Sequence, residues 1–337
     1  MILSINYIFY ETSGGDLSRI GKISIQKEYR NIFKNDFQKQ IKYHDLSEID
    51  LNKECSINIL NIGDSFSKQG VIGYQNYLSS YNLNIFNIFT GLNNTDDPMQ
   101  LVFSIVNGDI LDKLKVDYII LETAERSFVR SGQKVDMDKI ITAKDYNKIY
   151  EKKENLKEKK NTSLDLGIFQ DMTFYFFWNI LYSFDERAYT SKVYKVNLTK
   201  KLFSTKKNEL LFYCDDIDDI KYNSRGSVRG LNEKLNILSK KLNEKGVKLI
   251  VLPAPDKYDI YYDFIANNHF PKNNFFDYMK EEKKEYLYIN SKDLLLEHVN
   301  NGAKDVYFAD DTHWSPIASE IVAKKIYEEL KTAMRME

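Results

Sequence analysis

The chain has 337 residues, 43% hydrophobic and 29% charged, with a formal net charge of −1. That is enough for one large α/β domain or two small ones and is not the composition of a disordered chain. Near-neutrality leaves no global field to hold a polyanion, which disfavours nucleic acid as a partner. Two cysteines, Cys55 and Cys214, could form one disulfide at most and fit neither a disulfide framework nor a cysteine zinc site. There is no apolar window of about 18 residues, the length needed to cross a bilayer. The apolar start, Met1 to Tyr10, lacks a basic leader and a small-residue cleavage site. It reads as a poor signal peptide or as the stub of a removed anchor.

Residues 1–55 are polar and mixed and read as an N-terminal extension; the main domain then runs over 56–337. Ser56 to Ile62 is a predicted strand, followed by Gly63-Asp64-Ser65-Phe66 and a helix to about Ser80. Asn82 to Phe89 alternates in period two, as a second strand does. Asp97-Pro98 opens a helix to about Leu114, and Val116 to Leu121 is a compact apolar strand of the kind buried in a parallel sheet. From about 127 to 228 the alternation is lost, and this stretch reads as an insertion. It holds a charged run, Lys148 to Lys160, and an aromatic block, Met172 to Tyr182. Around Phe177 and Trp178 that block reads either as core or as a platform for stacking sugars.

Leu231, Leu235, Leu238 and Leu242 share one helical face, and Gly246 closes that helix. Val247 to Leu252 and Glu285 to Ile289 are further strands. Phe308-Ala-Asp-Asp-Thr-His-Trp314 precedes a last helix from Pro316 to about Arg335, with Ser315 as N-cap and Pro316 in its first turn. Repeated strand–helix units predict an α/β fold, a three-layer sandwich around a mainly parallel sheet.

In such a sheet functional groups gather at the carboxyl ends of the strands. Ser65 follows the first strand at the start of a predicted helix, where free N–H groups could stabilise an oxyanion; the same pattern also suits a tight capped turn. Asp64 is adjacent to it and suits hydrogen bonding to nearby backbone. His313 is one of four histidines, and Asp310 and Asp311 are close enough in sequence to orient it as a base. A helix-capping cluster, or two aspartates and a histidine around a divalent ion, is the competing reading of that block. No second histidine cluster supports a metal, so none is expected, nor any organic cofactor.

Taken together, Gly-Asp-Ser after the first strand and Asp-Asp-Thr-His-Trp before the last helix resemble the SGNH (GDSL-type) hydrolase superfamily, whose fold is flavodoxin-like. Gly63-Asp64-Ser65-Phe66, Glu122-Thr-Ala-Glu125-Arg126, Pro253-Ala-Pro255-Asp-Lys257 and Asp311-Thr312-His313-Trp314 are similar to its alginate O-acetyltransferase-like branch. Gly15 to Gly21 also resembles a segment found downstream of a membrane anchor in related polysaccharide-locus proteins. The chain departs from these patterns twice. In the alginate enzymes the Asp-Thr-His-Trp block precedes Gly-Asp-Ser, whereas here the order is that of ordinary SGNH hydrolases. Glu122-Thr123-Ala124 also stands where those hydrolases carry Gly-x-Asn, an oxyanion donor.

The resemblance implies a serine-dependent acyl-transfer enzyme on carbohydrate, an O-acetyltransferase or an O-acetylesterase of a cell-surface or exported polysaccharide. Ser65 would be the nucleophile and His313 the base. The orienting acid would be Asp311 on the alginate-type spacing or Asp310 on the broader one, with the balance toward Asp311. Gly91, Arg126, Lys257 and Trp314 are the candidates for oxyanion or substrate binding. A turn glycine, and structural ion pairs for Arg126 and Lys257, are the alternatives. The implied partners are a poly- or oligosaccharide and an acetyl donor, for which a membrane acyltransferase is one source. The implied location is exported, periplasmic or extracellular. A non-catalytic polysaccharide-binding protein on the same scaffold is the rival function, and a metal-dependent hydrolase is a third.

Overall fold

The apolar runs that the sequence marks as strands lie side by side in one sheet. A computed structural model describes residues 15–23, 25, 29–33, 40–48, 55–90, 97–146 and 177–335. Six strands, β1 (His44–Asp45), β2 (Cys55–Gly63), β3 (Ile85–Phe89), β4 (Leu114–Ala124), β7 (Lys248–Ala254) and β8 (Leu287–Tyr288), are ordered β1-β3-β2-β4-β7-β8. Every pairing among them is parallel. β5 (Val193–Asn197) and β6 (Glu209–Tyr213) form a separate antiparallel hairpin.

The burial patterns explain the strands. β4 alternates buried and exposed over Leu114 to Asp117 and is then buried continuously to Ala124. β7 is buried from Leu249 onward. Unbroken burial is what a sheet covered on both faces requires. The helices named below are α1 (Asp16–Gly21), α2 (Tyr74–Ser79), α3 (Pro98–Asn107), α4 (Glu125–Gln133), α5 (Arg225–Asn243), α6 (Lys257–Tyr261), α7 (Ser291–Asn300) and α8 (Pro316–Arg335). One face of the sheet packs a core that includes Tyr74, Leu78, Leu295, Val322 and Ile326, from α2, α7 and α8. The other face packs Val102, Phe103, Phe128, Leu231, Leu235 and Leu238, from α3, α4 and α5. This is the three-layer α/β sandwich expected from the sequence.

Connections from β2 run to β3 on one side, and the chain then crosses to β4 on the other. The sheet order therefore reverses at β2, and the crevice outside its carboxyl end is where such folds bind ligands. Residue 64 leaves the sheet at that point.

Two expectations are corrected. The helix expected from Asp97 to Leu114 breaks at Gly108. A side chain there would collide with the Ile141 carbonyl. The stretch from Ser65 to Ser80 is not one helix but two 3₁₀ turns, Ser65–Lys68 and Gly70–Ile72, followed by the short α2. Gly70 has φ 61°, a left-handed conformation that interrupts an α-helix. Gly246 does close α5, at φ 75°. The charged run at 148–160 lies outside the described residues.

Candidate active site

The Gly63-Asp64-Ser65 turn is shaped by what surrounds it. A Cβ on Gly63 would run into Ser67 Oγ and Glu122 Oε2, so the close packing of turn and sheet admits only glycine. The Asp64 carboxylate accepts from the Phe66 amide (3.2 Å) and the Ala124 amide (2.7 Å), pinning the turn to the end of β4. Its own amide donates to Glu122 (3.1 Å). Beneath the turn lies a buried polar plug. Ser67 donates to Glu122 (2.7 Å), Asn61 donates to Ser67 (3.0 Å) and Asn87 (2.6 Å), and the Tyr74 hydroxyl donates to Asn61 (2.6 Å). Burial first, and then the nearby Asp64 charge, hold the Glu122 carboxyl well above its ordinary range.

The second half comes from the loop before α8. Asp311 Oδ1 meets His313 Nδ1 at 2.6 Å and also accepts the His313 amide at 3.0 Å. Asp310 faces elsewhere: its buried Oδ2 accepts the Gly15 amide at 2.7 Å. Gln69, just past the serine turn, donates to the Trp314 carbonyl at 2.7 Å and ties the two loops together. Ser65, Lys68, Gln69, Ile72, Phe308, Asp311 and His313 line one cavity of about 270 Å³. His313 Nε2 is buried and has no hydrogen-bond partner among the described residues. It is therefore not hydrogen-bonded to Ser65, which lines the same cavity.

The Asp311 carboxylate dominates the electrostatics around His313. Burial opposes the imidazolium, but the hydrogen bond and charge of Asp311, followed by the charge of Asp16, outweigh it and raise the His313 pKa. Burial would likewise raise Asp311, yet its bonds to His313 pull it well below the usual carboxylate range. The 2.6 Å separation suits a shared proton. Two ligands of a tetrahedral zinc, each about 2.1 Å from the metal, would stand roughly 3.4 Å apart. Asp16, Asp311 and His313 are nevertheless grouped closely enough to be weighed as a metal site. The short contact argues for the proton.

The remaining sequence candidates are placed as follows. Gly91 lies outside the described residues. Arg126 pairs with Asp256 (2.6 Å) and Asp216 (3.0 Å), both almost fully buried. Lys257 is 1% exposed and donates to the carbonyls of Ala309 (2.9 Å) and Asp311 (3.3 Å). Burial lowers its pKa to about 8, against the charges of Asp310 and Asp311. Trp314 is fully buried, donates to the Tyr307 hydroxyl (2.9 Å) and packs edge-on against Phe66 with ring centroids 5.0 Å apart. None of the three is among the residues lining the cavity of about 270 Å³; Arg126 holds its two carboxylates through Nη1, and Lys257 and Trp314 direct their donors to protein oxygens. Phe177 is exposed, and Trp178 packs on the small core under β5.

Residues 207–337 match a family model described as SGNH hydrolase-like domain, acetyltransferase AlgX. This part of the chain is similar to that domain, as its motifs indicate. The match takes in Lys257, Asp311 and His313 and begins downstream of Ser65 and Arg126. No curated protein and no solved structure gives a match. No helix among the described residues is long and apolar enough to cross a membrane.

The sequence did not point to Gln69 or Tyr29, whose hydroxyl accepts the Ala309 amide at 2.7 Å. Neither carries a local signal. Asp16 is the other omission; its donors are the Thr312 amide (2.8 Å) and hydroxyl (2.6 Å). Its Gly15-to-Gly21 segment stood out in the sequence, though for a different reason.

Proposed function

We propose that the protein is a serine-dependent acyl-transfer enzyme acting on the O-acetyl groups of carbohydrate. The observation that carries this reading is the 2.6 Å Asp311–His313 contact in a cavity lined also by Ser65. Ser65 Oγ attacks the acetyl carbonyl carbon while His313 Nε2 takes its proton. Asp311 accepts the Nδ1–H and stabilises the imidazolium. The tetrahedral intermediate collapses as His313 returns that proton to the leaving oxygen, and acetyl-Ser65 remains. A sugar hydroxyl or water, deprotonated by His313, then attacks the acetyl group, and Ser65 is released when the proton passes back.

An O-acetyltransferase and an O-acetylesterase share every step up to the acyl-enzyme. The similarity of residues 207–337 to an acetyltransferase domain favours transfer over hydrolysis, and the acceptor on this reading is an exported polysaccharide. On this reading the acetyl donor is supplied from outside the chain, a membrane acyltransferase being one source. The decisive experiment treats wild type and Ser65→Ala with a fluorophosphonate probe and a chromogenic acetyl ester, with and without oligosaccharide acceptors. Wild type should be labelled at one serine and turn over the ester, and S65A should do neither while remaining folded. A folded wild type that shows neither labelling nor turnover favours the non-catalytic binding protein.

A further inference from the structure

The loop that carries His313 is held by a segment that lies 295 residues earlier in the chain. Five hydrogen bonds join them. Gly15 N–H donates to Asp310 Oδ2 (2.7 Å), Asp16 N–H to Asp311 Oδ2 (3.1 Å), and Ser18 N–H to the Asp310 carbonyl (3.1 Å). In return Asp16 accepts from the Thr312 amide through Oδ1 (2.8 Å) and from the Thr312 hydroxyl through Oδ2 (2.6 Å). Asp16 therefore grips the residue between Asp311 and His313, while its own amide holds the Asp311 oxygen on the far side of the carboxylate from His313. Its Oδ2 also lies 3.9 Å from His313 Nδ1.

The segment is itself fixed. Leu17 and Ile23 are buried against Tyr182, Val193 and Leu211, so α1 rests on the β5–β6 hairpin. Asp16 itself is half-buried, and both of its carboxylate oxygens are held by Thr312. Each of its contacts bears on the angle and charge of the Asp311–His313 pair.

We propose that Asp16 is a positioning residue for the acid–base pair, and that the site is incomplete without the N-terminal segment. This rests on the serine acyl-transfer reading for its effect on turnover, but not for its effect on His313 itself. Two contributions are separable. The hydrogen bonds to Thr312 set the loop geometry, and a displacement of about 1 Å at a catalytic group lowers the rate on the order of 100-fold. The negative charge favours the imidazolium and so raises the pH at which His313 becomes a neutral base. Among the described residues, the other charged groups near His313 include Asp311 on its own loop, Arg126 from α4, Lys257 from α6 and Lys68 from the serine turn. All four are unchanged in the variants that follow.

The test compares Asp16→Asn and Asp16→Ala in the full chain. Asn keeps an acceptor for the Thr312 amide and loses the charge; Ala loses both. The first readout is the imidazole NMR titration, which needs no activity and has only four histidines to resolve. D16N and D16A should both lower the His313 pKa. The second readout is the pH profile of kcat/KM on the acetyl ester. Its rise should move to lower pH in both variants. At the plateau D16A should lose on the order of 100-fold in kcat with KM little changed, and D16N should recover most of that loss. Unaltered His313 titration in both folded variants, or equal small losses in kcat that follow only the folded fraction, overturns the proposal. If wild type proves inactive, the acyl-transfer reading fails, and the His313 titration alone still decides whether Asp16 acts on that ring.

Discussion

Asp310 and Gly15 meet at 2.7 Å, and Asp311 and His313 at 2.6 Å, so the two adjacent aspartates face in different directions. One carboxylate anchors the N-terminal segment and the other orients the imidazole. A pair that could compete for one role in a sequence is divided between two roles by the turn that carries it.

Asparagine substitutions should separate them. Asp311→Asn replaces an acceptor of the Nδ1 proton with a group that can donate, which stabilises the wrong tautomer; by the precedent of serine triads turnover falls about 10⁴-fold with the fold intact. Asp310→Asn keeps an oxygen to accept the Gly15 amide, so turnover should fall less than about tenfold. Asp310→Ala leaves that buried amide without this acceptor and should lose about 1–3 kcal/mol of stability. Rates on one ester and denaturant midpoints are the measurements. A D310N loss as large as that of D311N would contradict the division.

The parts of the site that were legible in the sequence are those whose partners are close along the chain. Asp311 and His313 are two residues apart, and Asp64 caps a turn two residues on. Strand identities were legible because burial on both faces leaves continuous apolar runs, as in β4 and β7. What was not legible depends on distance in sequence. Nothing local to Asp16 says that Thr312 will reach it, and nothing near Gln69 points to the Trp314 carbonyl. Lys257 and Arg126 stand at strand ends, where a ligand-facing role is the natural reading. Only the fold shows Lys257 on the Ala309 and Asp311 carbonyls and Arg126 on Asp216 and Asp256. The stretch after Ser65 reads as one helix in the sequence, whereas it folds as two 3₁₀ turns with Gly70 in a left-handed conformation between them.

Gly63 offers a test of the turn itself. The position next to it must let Ser67 and Glu122 approach, and an added methyl group would overlap both. Gly63→Ala should destabilise the protein by about 1–3 kcal/mol, the usual effect of overpacking a rigid site. It should also disturb the Ser67–Glu122 bond beneath the turn that carries Ser65. Labelling by the serine probe at a temperature well below the midpoint should therefore slow as well. A G63A protein with wild-type midpoint and labelling rate would show that the plug under Ser65 is soft.

Lys257 gives the last prediction, and its sign follows from linkage. Burial lowers its pKa to about 8 in the folded protein, whereas in an unfolded chain lysine titrates near 10.4. Between those values the unfolded chain binds more protons than the folded one, so this residue makes stability rise with pH. Below about pH 8 both states are protonated and the contribution is flat. There the charged amine is kept in place by the Ala309 and Asp311 carbonyls and lies 5.2 Å from the centre of the Phe203 ring. Lys257→Met keeps much of the buried stem and removes the proton. Urea midpoints of the two proteins, taken from pH 6 to 10, isolate the effect, because every other group titrates in both. Relative to K257M, wild type should hold a constant offset to about pH 8 and then gain stability toward pH 10. K257M should also lose turnover at pH 7, since the two carbonyls it releases flank Asp310 and include that of Asp311. A flat difference across the whole range would mean that Lys257 is solvated and free of the loop; a difference falling with pH would mean that its charge is stabilised on folding, the reverse of the burial argument.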